Sequence, residues 1–382
     1  MAQTANFSVT GFRPVCLTLD KIGPFQDKIH TFDFTDKNND PCNFYLFVSP
    51  NGGGKTTLLE LMHGMMAMLG REHLDEFGIE SLDKGDGRAQ LDILLQVDEN
   101  GVGKAVILSL TAGNVNKDET LKTWDSDELK KIGAEACHHY GFLKPSHAFL
   151  PVHKISQTRF INNFITHLNR QTGSRPKESQ STNFSWPTLL YFPAYRDIEK
   201  TNETERAIKE PQNWGYQTAR RFGGGKGQWT DSPDNLLVWL KWLDDGRLER
   251  AMEIVNQMVF QDGEKKLTSI RKDPPEAIID NNGNEHRLDQ LSSGEKSLLQ
   301  ICLRIAAHMT KNSILLIDEI DVHLHSKWQH RLLNWLKDMA RNYPGLTIIA
   351  TTHSREIINS FAFEIEEKGL RKGGFFIEAD DQ

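Results

Sequence analysis

The chain has 382 residues, 38% hydrophobic and 25% charged, a balance that builds a core and excludes bulk disorder. A net charge of −7 argues against indiscriminate phosphate binding, though it leaves room for DNA at a local basic patch. The apolar runs are far shorter than the ~18 residues a membrane helix needs, and the opening residues lack a basic-then-apolar leader, so no membrane contact and a cytoplasmic location are expected. Cys16, Cys42, Cys137 and Cys302 form no CxxC pair, which argues against a zinc knuckle and a disulfide framework.

Along the chain, alternating apolar residues predict two short strands, within 17–25 and 29–34, joined by a turn at Gly23-Pro24. The run Phe44-Tyr-Leu-Phe-Val48 is continuously apolar, as in a buried strand, and a Gly-rich loop and a Leu- and Met-rich helix over 57–69 follow. Residues 90–97 and 105–110 read as the arms of a hairpin turning at 98–103. Residues 115–185 are polar and helical in propensity, ending in a soft stretch over 171–185. A short strand at 189–192, a polar loop holding Arg220, Arg221 and Lys226, and a helix over 233–259 come next. Strand and helix alternation returns after 286, with a helix from about Lys296, a strand at 313–317, a helix over 327–342 and a strand over 346–351. The expected organisation is a first lobe over 1–114, a mainly helical insertion with a connecting strand over 115–285, and a second lobe over 286–382.

Four segments carry chemistry. Ser49-Pro-Asn51-Gly52-Gly53-Gly54-Lys55-Thr56-Thr57 lies between a strand and a helix, the context a phosphate-binding loop requires. Bare glycine backbone and a helix N-terminus offer N–H groups to phosphate oxygens, and Lys55 adds a full charge. The Thr56 hydroxyl can ligate Mg²⁺. Ser49 stands where the standard pattern has Gly. Ile314-Leu-Leu-Ile-Asp318-Glu319 is an apolar strand ending in two acids. Asp318 there can hold Mg²⁺, and Glu319 can orient and deprotonate an attacking water. Leu291-Ser292-Ser293-Gly294-Glu295 opens a helix, where hydroxyls and a bare glycine make a second anion cradle. His353 follows the strand over 346–351. A second Gly-rich stretch, 223–227, lacks both a Ser or Thr after Lys226 and a preceding strand, and reads as a surface loop whose cations leave a partner or nucleic-acid contact open.

In this order the segments resemble ATP-binding-cassette ATPases, with 291–295 matching the signature and His353 the switch histidine. The run Asp318-Glu-Ile-Asp321-Val-His323-Leu-His325, with Trp328-Gln329 and Thr351-Thr-His-Ser354, is similar to ATPase heads of the RecF, SMC and OLD-like group, above all stand-alone ATPases of bacterial defence systems such as Septu. The resemblance covers roughly 10–110 and 286–360. It implies an α/β P-loop NTPase fold of ABC type with an N-terminal antiparallel β subdomain and a helical insertion. It implies ATP and Mg²⁺ as ligands, with ATP sandwiched between two heads: Asn51 to Thr57 of one subunit and Ser292, Ser293 and Gly294 of the other, Glu319 and His353 acting in catalysis, and Thr56 and Asp318 on the metal. The stretch from Asp321 to His325 would lie across the dimer seam. The expected function is a homodimeric ATP-driven switch, or higher oligomer, in anti-phage defence or genome maintenance. It would gate DNA access or a separate effector such as a nuclease, because neither a long coiled coil nor a nuclease constellation after His353 is visible. Two alternatives remain: the ATPase subunit of a membrane transporter, disfavoured by Ile320-Asp-Val-His in place of Ser-Ala-Leu-Asp, and a slow-turnover ATP-binding scaffold. The glutamine of the family's Q-loop is not placed; Gln90 and Gln96 are its candidates.

Overall fold

The computed structural model describes residues 7–115, 120–144, 149–151, 158–174, 184–212, 214–223, 227–362 and 369–376. The first sheet contains β1 (Phe7–Asp20), β2 (His30–Asp33), β4 (Arg88–Glu99), β5 (Val102–Gly113), β6 (Cys137–Leu143) and β7 (Leu150–Pro151), in the order β2-β1-β4-β5-β6-β7. β1 extends well before Leu17 because bulges between Val9 and Gly11 and between Pro14 and Cys16 absorb residues that interrupt the apolar alternation. The β4–β5 hairpin forms as expected: Glu99 pairs with Val102, leaving Asn100 and Gly101, both at positive φ, as the two-residue turn.

The second sheet is wholly parallel and contains β3 (Phe44–Val48), β8 (Thr188–Phe192), β9 (Ala219–Arg221), β13 (Ser313–Ile317), β14 (Thr347–Thr352) and β15 (Lys372–Phe376), in the order β15-β3-β14-β13-β8-β9. Every residue of β3, β8 and β13 is buried, which explains the unbroken apolar runs: a strand covered on both faces has no polar side to display. The period of two then divides β3 between two cores. Tyr45 and Phe47 face the antiparallel sheet and α1 (Lys55–Ala67), while Phe44, Leu46 and Val48 face the helical layer. Each such side chain contributes about 1.5–3 kcal/mol of burial free energy.

The remaining helices are α2 (Glu80–Asp83), α3 (Ser126–Ile132), α4 (Arg159–Gln171), α5 (Pro233–Leu243), α6 (Arg247–Met258), α7 (Ser293–His308), α8 (Ser326–Asn342) and α9 (Arg355–Ala362). A meander of β10 (Lys265–Lys272), β11 (Pro275–Asn281) and β12 (Asn284–His286) lies beside α5 and α6. No helix among the described residues is long and apolar enough to cross a membrane.

The middle block departs from the expected helical insertion. Residues 115–285 supply β6 to β11, and β8 and β9 are part of the parallel sheet itself. β6 starts Cys137-His138-His139 and β10 carries Lys265, Lys266, Arg271 and Lys272, so neither shows an apolar alternation. The helix expected over 233–259 is two helices, broken where Asp244 and Gly246 take left-handed backbone conformations. The soft stretch at 171–185 falls partly, and Lys226 wholly, outside the described residues.

Candidate ATP site

Parallel pairing of β3 with β14, and of β14 with β13, brings the C-terminal ends of three strands to one edge. That edge is where α/β sheets bind ligands. The phosphate loop leaves β3, the acidic pair leaves β13, and His353 leaves β14.

The loop geometry depends on its glycines. Gly54 caps α1 at φ 87°, and a β-carbon there would meet the Phe25 ring at 2.6 Å. A β-carbon on Gly53 would come within 2.5 Å of the Ser49 hydroxyl. Ser49, where the pattern has Gly, thus fits by lying over Gly53, and its hydroxyl donates to the Pro50 carbonyl at 2.9 Å. Lys55 is 5% exposed. Its ammonium donates to the carbonyls of Ser49 (2.7 Å) and Pro50 (3.0 Å), holding the charge inside the loop. No side chain caps α1 and its first turn carries no acid, so its N-terminal N–H groups are left for an anion. Asn51 and Thr56 are exposed there, while Thr57 is half-buried against Gly23.

The two metal-ligand candidates touch. The Thr56 hydroxyl donates to Asp318 Oδ2 at 2.7 Å, and the Thr351 hydroxyl donates to Asp318 Oδ1 at 2.6 Å. A hydroxyl and a carboxylate side by side beneath a phosphate loop are hard oxygen donors of the kind Mg²⁺ takes. Glu319 follows at φ 44°, left-handed for a residue with a β-carbon. Its amide donates to Thr351 Oγ1 at 2.7 Å. Thr351 therefore accepts from one acidic residue and donates to the other, fixing both. Its apolar-strand position gave no sign of this.

His353 is half-exposed at the same edge, with Nε2 3.4 Å from Asp321 Oδ2. Asp321 is buried and also accepts from the Thr352 hydroxyl. Gln329 donates to the Leu324 carbonyl (2.9 Å) and accepts from the Ser354 hydroxyl (3.1 Å). Within one chain, then, the segment from Asp321 to Leu324 is tied to the loop bearing His353. His323 and His325 are exposed beside it.

The signature is built differently from the phosphate loop. Ser292 and Glu295 form a reciprocal capping box at the start of α7, and Lys265 of β10 holds the Glu295 carboxylate at 2.8 Å. Burial raises the Glu295 pKa, but Lys265 and the Ser292 amide and hydroxyl outweigh it and leave the group below its ordinary value. Ser292 is thus committed to its own helix, whereas the hydroxyl of Ser293, which is also exposed, has no hydrogen-bond partner among the described residues. Gly294 packs so closely that a β-carbon would lie 2.7 Å from the His323 carbonyl and 3.0 Å from the Trp328 ring. Among the described residues, no hydrogen bond joins 292–294 to 49–57.

Other candidates lie elsewhere. Gln90 is buried in β4, bonded to Asp92 and to the backbone of Leu121 and Lys122. Gln96 is on the outer face of β4 against Gly11. Of the cations of the basic loop that are described, Arg220 is turned inward to the Trp214 and Gly215 carbonyls, and Arg221 pairs with Glu60 of α1 at 3.0 Å.

The strand order, with the glycine-rich loop, the acid pair and His353 at one edge of the parallel sheet, is that of a P-loop NTPase fold. The chain belongs to the family described as "AAA domain, putative AbiEii toxin, Type IV TA system", whose model matches residues 118–359, a span containing the acid pair, signature and His353 but not the phosphate loop. It is 31% identical over 259 residues to the retron Vc95 probable ATPase of Vibrio cholerae serotype O1 biovar El Tor, covering 50% of this chain and 48% of that one. It is 34% identical over 102 residues to the retron Ec83 probable ATPase of Escherichia coli, covering 24% of this chain and 18% of that one. Septu protein PtuA of Bacillus thuringiensis is 31% identical over 114 residues, covering 26% of this chain and 28% of PtuA. The chain thus spans less than half the length of these curated relatives. A structure of an SMC head bound to the C-winged helix domain of ScpA aligns over 91% of both chains, but at TM-score 0.42 and 12% identity it adds nothing to the assignment.

Proposed function

We propose that this protein is an ATP-hydrolysing switch in anti-phage defence that works as a head-to-head pair and gates a separate effector, a nuclease being the fitting kind. The observation that carries the chemistry is the contact of Thr56 and Asp318, with Thr351 joining Asp318 to the Glu319 backbone. Lys55 and the N-terminus of α1 would hold the β- and γ-phosphates, and Thr56 and Asp318 would hold Mg²⁺, which when bound neutralises charge on the phosphate oxygens. Glu319, half-buried and without a side-chain partner among the described hydrogen bonds, would take the proton of the attacking water. His353, oriented by Asp321, would donate to the γ-phosphate.

Pairing is supported by the construction of the signature. Ser293 presents its hydroxyl to solvent on a rigidly capped helix. The partner that would use it is a second copy's γ-phosphate. Retron and Septu relatives favour a defence role and a separate effector for this chain. The test is Ser293→Arg, which places a bulky cation at that exposed position without touching Lys55, Asp318 or Glu319. It should bind ATP within about threefold of wild type, yet remain monomeric in ATP by analytical ultracentrifugation and lose hydrolysis by about 100-fold. Normal pairing and normal turnover in that variant would reject the paired site.

A further inference from the structure

The most heavily buried cation beside the candidate site is one no motif marks. Arg196, in the turn after β8, is 3% exposed. Its guanidinium donates from Nη1 to the Asp318 carbonyl (2.6 Å) and the Pro193 carbonyl (2.8 Å), from Nη2 to the Glu319 carbonyl (3.1 Å), and from Nε to the Ser297 hydroxyl (2.9 Å). None of these partners is a carboxylate. Burial lowers its pKa to about 10, with the nearby charges of Asp318, Glu319 and Asp321 opposing that fall. Placing a guanidinium here against neutral oxygens carries a desolvation penalty that a neutral side chain filling the same space would not incur.

Two features show what the fork does. First, Glu319 sits at φ 44°, a conformation that is unfavourable for a residue with a β-carbon and persists only where the surroundings over-determine it. Arg196 holds the carbonyls of the two successive peptide units that flank the Glu319 α-carbon, while Thr351 holds the Glu319 amide. The backbone that aims the Glu319 carboxyl is therefore fixed from two directions. Second, Ser297 lies one helical turn beyond Ser293 on α7, and the neighbouring Asp197 pairs with Lys296 at 2.8 Å. The same short turn thus grips the acidic pair and the signature helix.

We propose that Arg196 is a positioning residue: its guanidinium fixes the backbone that aims Glu319 and links that backbone to the signature helix through Ser297. This rests on the reading of Glu319 as the base. Lysine cannot replace the fork, because a single ammonium cannot reach three peptide carbonyls and a hydroxyl at once.

The experiment is a double-mutant cycle of Arg196→Lys with Glu319→Gln, following single-turnover ATP hydrolysis, ATP binding and thermal unfolding. Arg196→Lys should lower the hydrolysis rate about 100-fold, the cost of a misplaced catalytic group, with the ATP Kd within about threefold. In the Glu319→Gln background the same change should cost less than about threefold, because it acts through a side chain already disabled. Wild-type turnover in Arg196→Lys overturns the proposal, as does an equal loss in both backgrounds, which would mean a general structural role. If Arg196→Lys shows no cooperative unfolding transition, Ser297→Ala, which removes only the acceptor of Nε, is read instead. It should lose about tenfold in rate at unchanged ATP affinity, and no loss overturns the link. Should Glu319→Gln alone turn over at the wild-type rate, the reading of the site fails as well, and that outcome is distinct from a failure of Arg196 alone.

Discussion

Glu319→Gln should bind ATP as wild type does and hydrolyse it about 10²–10⁴-fold more slowly, the range a general base contributes. The amide keeps the length and hydrogen-bonding reach of the carboxylate but cannot take the water's proton. The contacts that set the site's shape are backbone ones, Glu319 N to Thr351 and the Glu319 carbonyl to Arg196, so the substitution leaves them in place. With the γ-phosphate intact and no route to products, the protein should accumulate as an ATP-bound pair. Rapid-quench hydrolysis and sedimentation in ATP measure the two consequences. Because opening would require hydrolysis, cells carrying this variant should lose protection in a phage-plaquing assay although the protein accumulates normally. A wild-type hydrolysis rate would remove Glu319 from the chemistry.

Lys55→Ala should weaken ATP binding about 100-fold, the loss expected for a charge-assisted contact to a phosphate, and abolish both hydrolysis and pairing. The effect has two sources. The phosphates lose a full positive charge, and the Ser49 and Pro50 carbonyls lose the donor that now holds the loop in shape. Lys55→Arg separates them, since guanidinium retains the charge but is too broad for the position now taken by the ammonium. Arginine should therefore recover little. Titration with a fluorescent ATP analogue reads both variants, and an unchanged Kd in Lys55→Ala would dissociate this loop from nucleotide binding.

The parts of the site that were legible in the sequence are those carried by local pattern. The apolar runs at 44–48 and 314–317 announced strands buried on both faces, and each is followed at once by its candidate site residues. The hairpin at 98–103 was legible because Asn100-Gly101 suits a turn needing positive φ twice. What stayed hidden is long-range and polar. Thr56 meets Asp318 across 262 positions, and Arg196 meets the Asp318 carbonyl across 122. Neither Thr351 nor Arg196 belongs to a pattern whose spacing implies a partner. The opposite failure occurs at Arg220, which read as an exposed cation beside a glycine loop but points inward to backbone carbonyls. Strands β6 and β10 were missed because a strand that is polar along much of its length displays no alternation to detect.

A site shared between two copies is tested most directly by complementation between two inactive variants. Lys55→Ala has a disabled phosphate loop and an intact signature; Ser293→Arg has the reverse. A mixed pair places the intact loop of one against the intact signature of the other, and both disabled halves in the remaining site. ATPase activity should therefore return when the two purified proteins are combined, rising with the fraction of mixed pairs and absent from either protein alone. Ser293→Arg hydrolysing ATP at the normal rate by itself, or no recovery on mixing while mixed pairs are shown to form, would contradict the shared site.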